Sequence, residues 1–251
     1  MYRLPLANYR VLDLGPTAAV AYAARLLGDA GAEVIIVERD TTHPMTRSSG
    51  FGQLNRDKLG CTLDFATPQG IELLRRLVGR CDVVVEGFDA PERRQLGLAY
   101  ESLRDARRDV IVASVKGIDG AAVTLSDAFA GTAAAGAICA ALLHHRDSGE
   151  GQHVEDDARD CRPCLPAGRQ SFGDAIVSGS PRARVEPVSA ASGVVEMPAL
   201  PWRFSLTPCH VRLPAPEPGR HNRYVFGDLL GLSEEQMMRL EREAVIGPAP
   251  K

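Results

Sequence analysis

Apolar and polar residues alternate along the first half of the chain in blocks that predict strands and helices in turn. Short runs rich in Val, Ile and Leu predict strands at Tyr9–Leu14, Glu33–Val37, Asp82–Glu86 and Asp109–Val115. Segments with helical periodicity predict helices at Ala18–Ala30, Gln69–Gly79, Tyr100–Arg107 and Asp127–His145. The polar stretch from His43 to Gly60 predicts a loop. This alternation predicts an α/β fold with a Rossmann-like, doubly wound, mostly parallel sheet.

The pattern weakens in the second half of the chain. Residues 156–192 are rich in Arg, Asp, Pro, Ser and Gly without clear periodicity, so we expect an irregular connection there. Trp202–Leu206 is strand-like, His221–Leu230 predicts a helix, and a capping box at Ser233–Gln236 predicts the start of a final helix. We therefore divide the chain into a ligand-binding core at 1–155, the connection at 156–192 and a C-terminal segment at 193–251 that packs back on the core.

Composition and charge exclude several classes of partner. The 251 residues are 45% hydrophobic and 24% charged, with a net charge of -3, which disfavours nucleic acid or an anionic membrane as a partner. The apolar run Ala128–Leu143 is shorter than the ~20 residues of a membrane span and predicts a buried helix. We see no secretory signal, and expect a cytoplasmic protein with reduced cysteines. Cys161 and Cys164 form a CxxC pair without a second ligand pair, so we predict no metal site.

The predicted strands all end in segments that could bind a ligand. In doubly wound sheets ligands lie outside the carboxyl ends of the strands, here Gly15–Ala18, Glu38–Arg39, Glu86–Phe88 and Lys116–Gly117. A helix N-terminus and two cations suit phosphate groups, and the Phe88 ring could flank a base. The alternative interpretation is equally open: Arg39 and Lys116 would be ordinary solvated charges, and Phe88 would belong to the core.

Five segments together resemble the family III CoA-transferases, which include formyl-CoA transferase, carnitine CoA-transferase and relatives of α-methylacyl-CoA racemase. The resemblance covers Leu4–Glu155 and Gly193–Gly247, in family order. It is carried by RVLDLGPTAAVAYAARLLGDAGAEVIIVER, LNRDKLGCTLDFATPQGIELLRRLVGRCDVVVEGF, RRQLGLAYESLRDARRDVIVASVKG, SDAFAGTAAAGAICAALLHHRDSGEGQHVE and GLSEEQMMRLEREAVI.

The resemblance implies that coenzyme A binds to the Rossmann-like core, without a metal, and is transferred between carboxylic acids. It also implies the residues that contact coenzyme A or acyl-CoA, namely Thr17, Ala18, Ala19, Arg39, Lys58, Phe88 and Lys116. Family members form interlocked dimers, so the implied partner is a second copy or a full-length paralogue.

The chain departs from the family pattern at several places. The first loop has Val20 where the family has glycine, Gly87 replaces an asparagine, and Asp57 precedes Lys58 where an asparagine is usual. Comparison with the family pattern also predicts that the segment with the catalytic aspartate and most of the small middle domain are missing. Asp119 and Asp127 are weak substitutes, better explained as a turn residue and a helix cap.

These departures lead us to expect a truncated homologue in which the ancestral CoA transfer is impaired. One alternative is a non-catalytic subunit that pairs with a full-length CoA-transferase. A less favoured alternative is a dinucleotide-binding oxidoreductase: Glu38 has a suitable position, but the loop after Gly15 lacks the further glycines of that fingerprint. A decayed reading frame, with marginal stability, is the fourth interpretation.

Overall fold

A six-stranded parallel sheet forms the centre of the protein in this computed structural model. The structure describes residues 3–15, 17–39, 51–117, 124–157, 185–190, 193–200, 202 and 204–247. The strands are β1 (Arg10–Asp13), β2 (Glu33–Glu38), β3 (Lys58–Thr62), β4 (Val83–Glu86), β5 (Ile111–Lys116) and β6 (His153–Asp157). Their order is β3-β2-β1-β4-β5-β6, so the chain winds outward in both directions from β1 and β4. The predicted α/β, Rossmann-like fold is confirmed.

Two of the six strands were not predicted. β3 begins inside the segment predicted to be a loop and extends two residues beyond it; Lys58 and Gly60 are residue types that strands usually lack, so it was missed. β6 is an edge strand with the sequence HVEDD, whose acidic residues give no apolar signal. In both cases pairing with a neighbour, β2 or β5, determines the strand.

Helices cover both faces of the sheet. They are α1 (Ala18–Asp29), α2 (Phe51–Leu54), α3 (Pro68–Val78), α4 (Ala90–Gln95), α5 (Tyr100–Ala106), α6 (Leu125–Ser148) and α7 (Glu234–Arg242). One core cluster joins the sheet to α1 and α6. The other joins the opposite face to α3, α5 and the C-terminal segment. This arrangement leaves the carboxyl edge of the sheet between the two helical layers.

The long apolar helix α6 packs closely on α1. A Cβ atom at Gly131 would lie 2.7 Å from the carbonyl oxygen of Ala19, so only glycine permits this approach. α6 has 24 residues and is long and apolar enough, by length and composition, to cross a membrane; half of its most apolar window is buried in the protein. Phe129 and Leu143 remain exposed on its outer side.

The C-terminal part differs from its predicted secondary structure. β7 (Val185–Ala190) and β8 (Gly193–Pro198) pair as an antiparallel hairpin, so the irregular connection ends before residue 192. The described residues of Trp202–Leu206 form no strand. The predicted helix at His221–Leu230 is a π-helix at Arg223–Leu229. Asn222 fixes this segment to β3, because its side chain accepts from the Thr62 amide and donates to the Thr62 hydroxyl.

Candidate functional site

The carboxyl edge of the sheet contains the turn from β1 into α1. Winding reverses between β1 and β4, and in such folds a crevice for ligands opens at this point. Thr17 caps α1, and its hydroxyl accepts from the amide of Val20 at 3.4 Å. The other amides of the first helical turn have no intrahelical acceptors, and the helix dipole makes this end positive. The turn therefore favours a negatively charged group.

Three glycines allow the ends of β1, β4 and β5 to approach this turn. A Cβ atom at Gly15 would lie 2.1 Å from Val20, and one at Gly87 would lie 2.9 Å from the same side chain. A Cβ atom at Gly117 would lie 2.7 Å from Thr17. The fully buried Val20 therefore occupies the space that a side chain at position 87 would need. The two departures from the family pattern, Val20 and Gly87, are therefore in direct contact.

Two of the predicted ligand residues are exposed cations on either side of this turn. Arg39 follows β2, and its guanidinium lies 3.4 Å from the Glu92 carboxylate, with both side chains nearly half exposed. It also lies 5.8 Å from the centroid of the Phe65 ring. Lys116 is the exposed last residue of β5. β1 and β4 separate β2 from β5, so the two strand ends are about 14 Å apart.

Four of the other predicted ligand residues lie in the protein interior. Ala18 and Ala19 belong to the buried face of α1. Phe88 is buried and packs edge-to-face on Phe65, with ring centroids 6.1 Å apart. Lys58 is fully buried at the start of β3. The side chains of these four residues contribute to packing, whereas Thr17, Arg39 and Lys116 lie at the start of α1 and at the ends of β2 and β5 around the crevice.

Lys58 is held by three acceptors inside the protein. Its Nζ donates to Asp13 Oδ2 at 2.6 Å, to the Ala21 carbonyl at 2.9 Å and to Asn55 Oδ1 at 2.8 Å. An ammonium group has three donors, so none is left for a phosphate. Burial lowers the pKa of Lys58, and the nearby Asp13 acts in the opposite direction. Asp57 faces away from this network, where its carboxylate accepts from the amides of Arg212 and Leu213.

Three strands end in buried carboxylates, a feature that the sequence analysis did not use. Asp13, Glu38 and Glu86 are the last residues of β1, β2 and β4. Asp13 is paired with Lys58, and Glu86 accepts from the Phe88 amide and pairs with Arg93 at 2.9 Å. Neither carboxylate oxygen of Glu38 has a hydrogen-bond partner among the described residues.

The environment of Glu38 changes its ionisation. Burial, with a contribution from the negative charge of Asp13, raises the pKa of Glu38 to about 7. The signal in the sequence was an acidic residue directly after each apolar run, as in VLD, IVE and VVE.

Asp127 caps α6. It is fully buried, and its Oδ2 accepts from the Thr124 amide at 2.9 Å and from the Thr124 hydroxyl at 2.6 Å. The Thr124 hydroxyl in turn accepts from the Asp127 amide, which completes a capping box. The described contacts therefore match the cap interpretation rather than a nucleophile. Asp119, the other substitute, lies outside the described residues.

Metal ligands do not cluster in the described part of the chain. No group of three or more His, Cys, Asp or Glu side chains there could hold an ion. Cys161 and Cys164, the candidate pair, lie outside the described residues. Cys61, Cys81, Cys139 and Cys209 are free thiols.

Known proteins with similar sequences transfer coenzyme A. A sequence profile of CoA-transferase family III matches residues 6–122. The chain is 30% identical over 230 residues to succinate–glutarate CoA-transferase of Agrobacterium fabrum, which covers 72% of this chain and 57% of that protein. It is 35% identical over 122 residues to formyl-CoA:oxalate CoA-transferase of Afipia carboxidovorans, covering 45% of this chain and 29% of that protein. The chain thus spans little more than half the length of the first relative.

Solved structures share the fold. Rv3272 from M. tuberculosis superposes with a TM-score of 0.71 and 20% identity, covering 87% of this chain and 98% of that one. A CAIB/BAIF family protein from Brucella suis superposes with a TM-score of 0.60 and 25% identity, covering 77% of this chain and 65% of that one. The sequence matches show that this chain belongs to CoA-transferase family III.

Proposed function

We propose that this chain binds coenzyme A or an acyl-CoA at the carboxyl edge of the sheet, and that its ancestral reaction, transfer of CoA between carboxylic acids, is impaired. The observation that carries the proposal is the pair of exposed cations, Arg39 and Lys116, on either side of the N-terminus of α1. Phosphate groups bind to helix N-termini and to arginine forks, and coenzyme A carries three phosphates on an extended body. The strand ends that bear these cations are about 14 Å apart, a spacing that suits an extended ligand better than a single phosphate.

Arg39 is available to a ligand although it has a partner. Its pair with Glu92 joins two half-exposed side chains at 3.4 Å, and such surface pairs contribute at most about 1 kcal/mol. A phosphate can therefore displace Glu92 at little cost, and a guanidinium can donate two parallel hydrogen bonds to it.

The carboxylates near the crevice are unsuited to the covalent route of transfer. That route requires a carboxylate to attack the thioester carbonyl and to form an anhydride. Among the described residues, the carboxylates that end β1, β2 and β4 (Asp13, Glu38 and Glu86) and Asp127 are buried, whereas the half-exposed Glu92 pairs with Arg39. Binding without efficient transfer is the function that this geometry supports.

The test is a calorimetric titration of the purified chain with free coenzyme A. We expect micromolar binding that Arg39→Ala weakens by about tenfold, the effect of losing a charged hydrogen-bond donor. Arg39→Lys keeps the charge without the fork and should give an intermediate loss. Arg146→Ala, which removes an exposed cation on α6, serves as the matched control.

Each result decides one part of the proposal. Failure of the folded chain to bind coenzyme A would overturn the binding part. CoA transfer between carboxylic acids at an ordinary enzymatic rate would overturn the impaired part.

A role as a partner subunit is the second candidate, favoured by the outer side of α6. Phe129 and Leu143 are 46% and 55% exposed there, although large apolar side chains usually become buried. A second copy or a full-length relative could cover them. Light scattering of the chain alone and of a mixture with such a relative tests this role. A monomer in both samples would exclude it.

A further inference from the structure

A second cavity lies at β3, the edge strand of the sheet. It has a volume of about 460 Å³ and lies near Lys58, the first residue of that strand. The crevice lies at the carboxyl ends of the strands, whereas this cavity lies near the amino end of β3. We call it the β3 cavity. The residues that matter for its chemistry are Leu213, Pro214, Pro216, Glu217, Arg220 and His221.

The apolar wall of the β3 cavity is fixed to the strands. A Cβ atom at Gly60 would lie 2.9 Å from the Pro216 ring, so glycine allows the proline-rich segment to lie directly on β3. Asp57 holds the start of the same segment, since its Oδ1 accepts from the amides of Arg212 and Leu213 at 2.7 Å each. Asp57 does this with a φ of 60°, a conformation that a non-glycine residue adopts only when its surroundings enforce it.

His221 contributes a hydrogen-bond donor with a fixed orientation. Its Nδ1 accepts from the Gly60 amide at 3.0 Å, so in the neutral ring the proton is on Nε2. Burial and the nearby charge of Arg220 lower the pKa of His221, which keeps the ring neutral at pH 7. In the part of the chain that the structure describes, no acceptor pairs with this Nε2–H group.

Arg220, the next residue along the wall, adds a positive charge. It is exposed, and no described carboxylate lies within ion-pair distance of its guanidinium. The π-helix begins at Arg223, two residues after His221, and such helices are frequent at functional sites. Asn222, between the pair and the π-helix, is anchored to Thr62 and to the Gly247 carbonyl. The donors therefore project from a rigid part of the backbone.

We infer that the β3 cavity binds a small carboxylate with a short apolar chain, separately from the coenzyme A crevice. The carboxylate accepts from the Nε2–H group of His221 and pairs with Arg220, while the chain lies on Leu213, Pro214 and Pro216. Glu217 stands on the rim and opposes the bound anion. Because Glu217 repels an anion, removing its negative charge strengthens the binding of a carboxylate.

The experiment uses hexanoate as the probe and the Gly60 amide as the reporter. The amide donates to Nδ1 of the ring whose Nε2 contacts the ligand, so its NMR signal responds to binding at this site. We expect hexanoate to shift the signal in a saturable way. Hexanamide has the same chain without the charge, and it should bind at least about tenfold more weakly.

Variants of His221, Arg220 and Glu217 measure the effects of the two donors and of the acidic residue on hexanoate binding separately. His221→Asn keeps an acceptor for the Gly60 amide but removes the Nε2–H donor, and should weaken hexanoate binding about tenfold. Arg220→Gln changes an exposed residue and should weaken it up to about fivefold. Glu217→Gln should strengthen it. Arg146→Gln, on α6, controls for the loss of one positive charge.

Three results would each overturn the inference: an unchanged Gly60 signal with hexanoate, equal affinity for hexanoate and hexanamide, or weaker hexanoate binding in Glu217→Gln. Because Arg220 and Glu217 are exposed, their variants should fold even if His221→Asn does not. Coenzyme A binding is measured by calorimetry and concerns a different edge of the sheet. A failure of either site is therefore distinguishable from a failure of the other.

Discussion

Glu38 should make the stability of this protein fall as the pH rises through neutrality. Its side chain is buried at the end of β2, its carboxylate oxygens have no hydrogen-bond partner in the described part of the chain, and Asp13 places a second negative charge nearby. The folded state therefore favours the protonated, neutral form. In the unfolded chain the carboxyl group is in water and ionises near its ordinary pKa of 4.5.

The size of the effect follows from the two pKa values. Between 4.5 and about 7 the folded state retains a proton that the unfolded state has lost, so the free energy of unfolding decreases as the pH rises. Each pKa unit corresponds to about 1.4 kcal/mol, so the loss approaches about 3 kcal/mol above pH 7. The stabilising effect of the neutral carboxyl group is complete below pH 4.5 and is lost as the pH passes 7.

Urea unfolding of Glu38→Gln and the unchanged protein at pH 5, 6, 7 and 8 measures this effect. The amide that replaces the carboxyl group cannot ionise, so the variant should gain about 2.5 kcal/mol relative to the unchanged protein between pH 5 and 8. Glu92→Gln, on the exposed surface of α4, controls for the loss of one negative charge. A difference between Glu38→Gln and the unchanged protein that stays constant with pH would refute the argument.

Two further predictions concern packing around the crevice. Gly87→Asn should destabilise the protein by about 1–3 kcal/mol, because its Cβ would lie 2.9 Å from Val20 and 3.0 Å from the Val115 carbonyl oxygen. Adding Val20→Gly should relieve the part of this overlap that Val20 causes, and additive effects in a double-mutant cycle would contradict this explanation. Lys58→Met should cost about 3–5 kcal/mol in urea unfolding, because it leaves the buried carboxylate of Asp13 without its cation. Under conditions in which Lys58→Met is folded, its affinity for coenzyme A should be unchanged. A loss of affinity in the folded variant would show that Lys58 contributes to ligand binding.

The alternation of apolar runs and periodic segments was sufficient to predict the fold. Buried parallel strands are continuous runs of Val and Ile, and α1 and α3 have clear caps, so these elements could be located from local pattern. Local pattern failed for β3, β6 and the β7–β8 hairpin. Those strands contain Lys, Gly, Asp, Glu or Pro, and they exist because a neighbouring strand pairs with them.

The topology also located the edge of the candidate site, since parallel strands end on one side of a sheet. Which residues face that edge was decided by packing. Arg39 and Lys116 are exposed there, as predicted from their places after β2 and at the end of β5. Lys58 and Phe88 are buried instead, because Asp13 binds the ammonium group and Phe65 covers the ring.

The sequence by itself determined the fold class and the family, because these depend on the order and hydrophobicity of short segments; the edge at which a ligand binds stays a prediction. Tertiary structure alone decided the ionisation of Glu38, the complementarity of Val20 and Gly87, and the β3 cavity. Each of these depends on distances between residues that are far apart in the chain. Burial and charge act through space, and no local sequence pattern records which groups will meet.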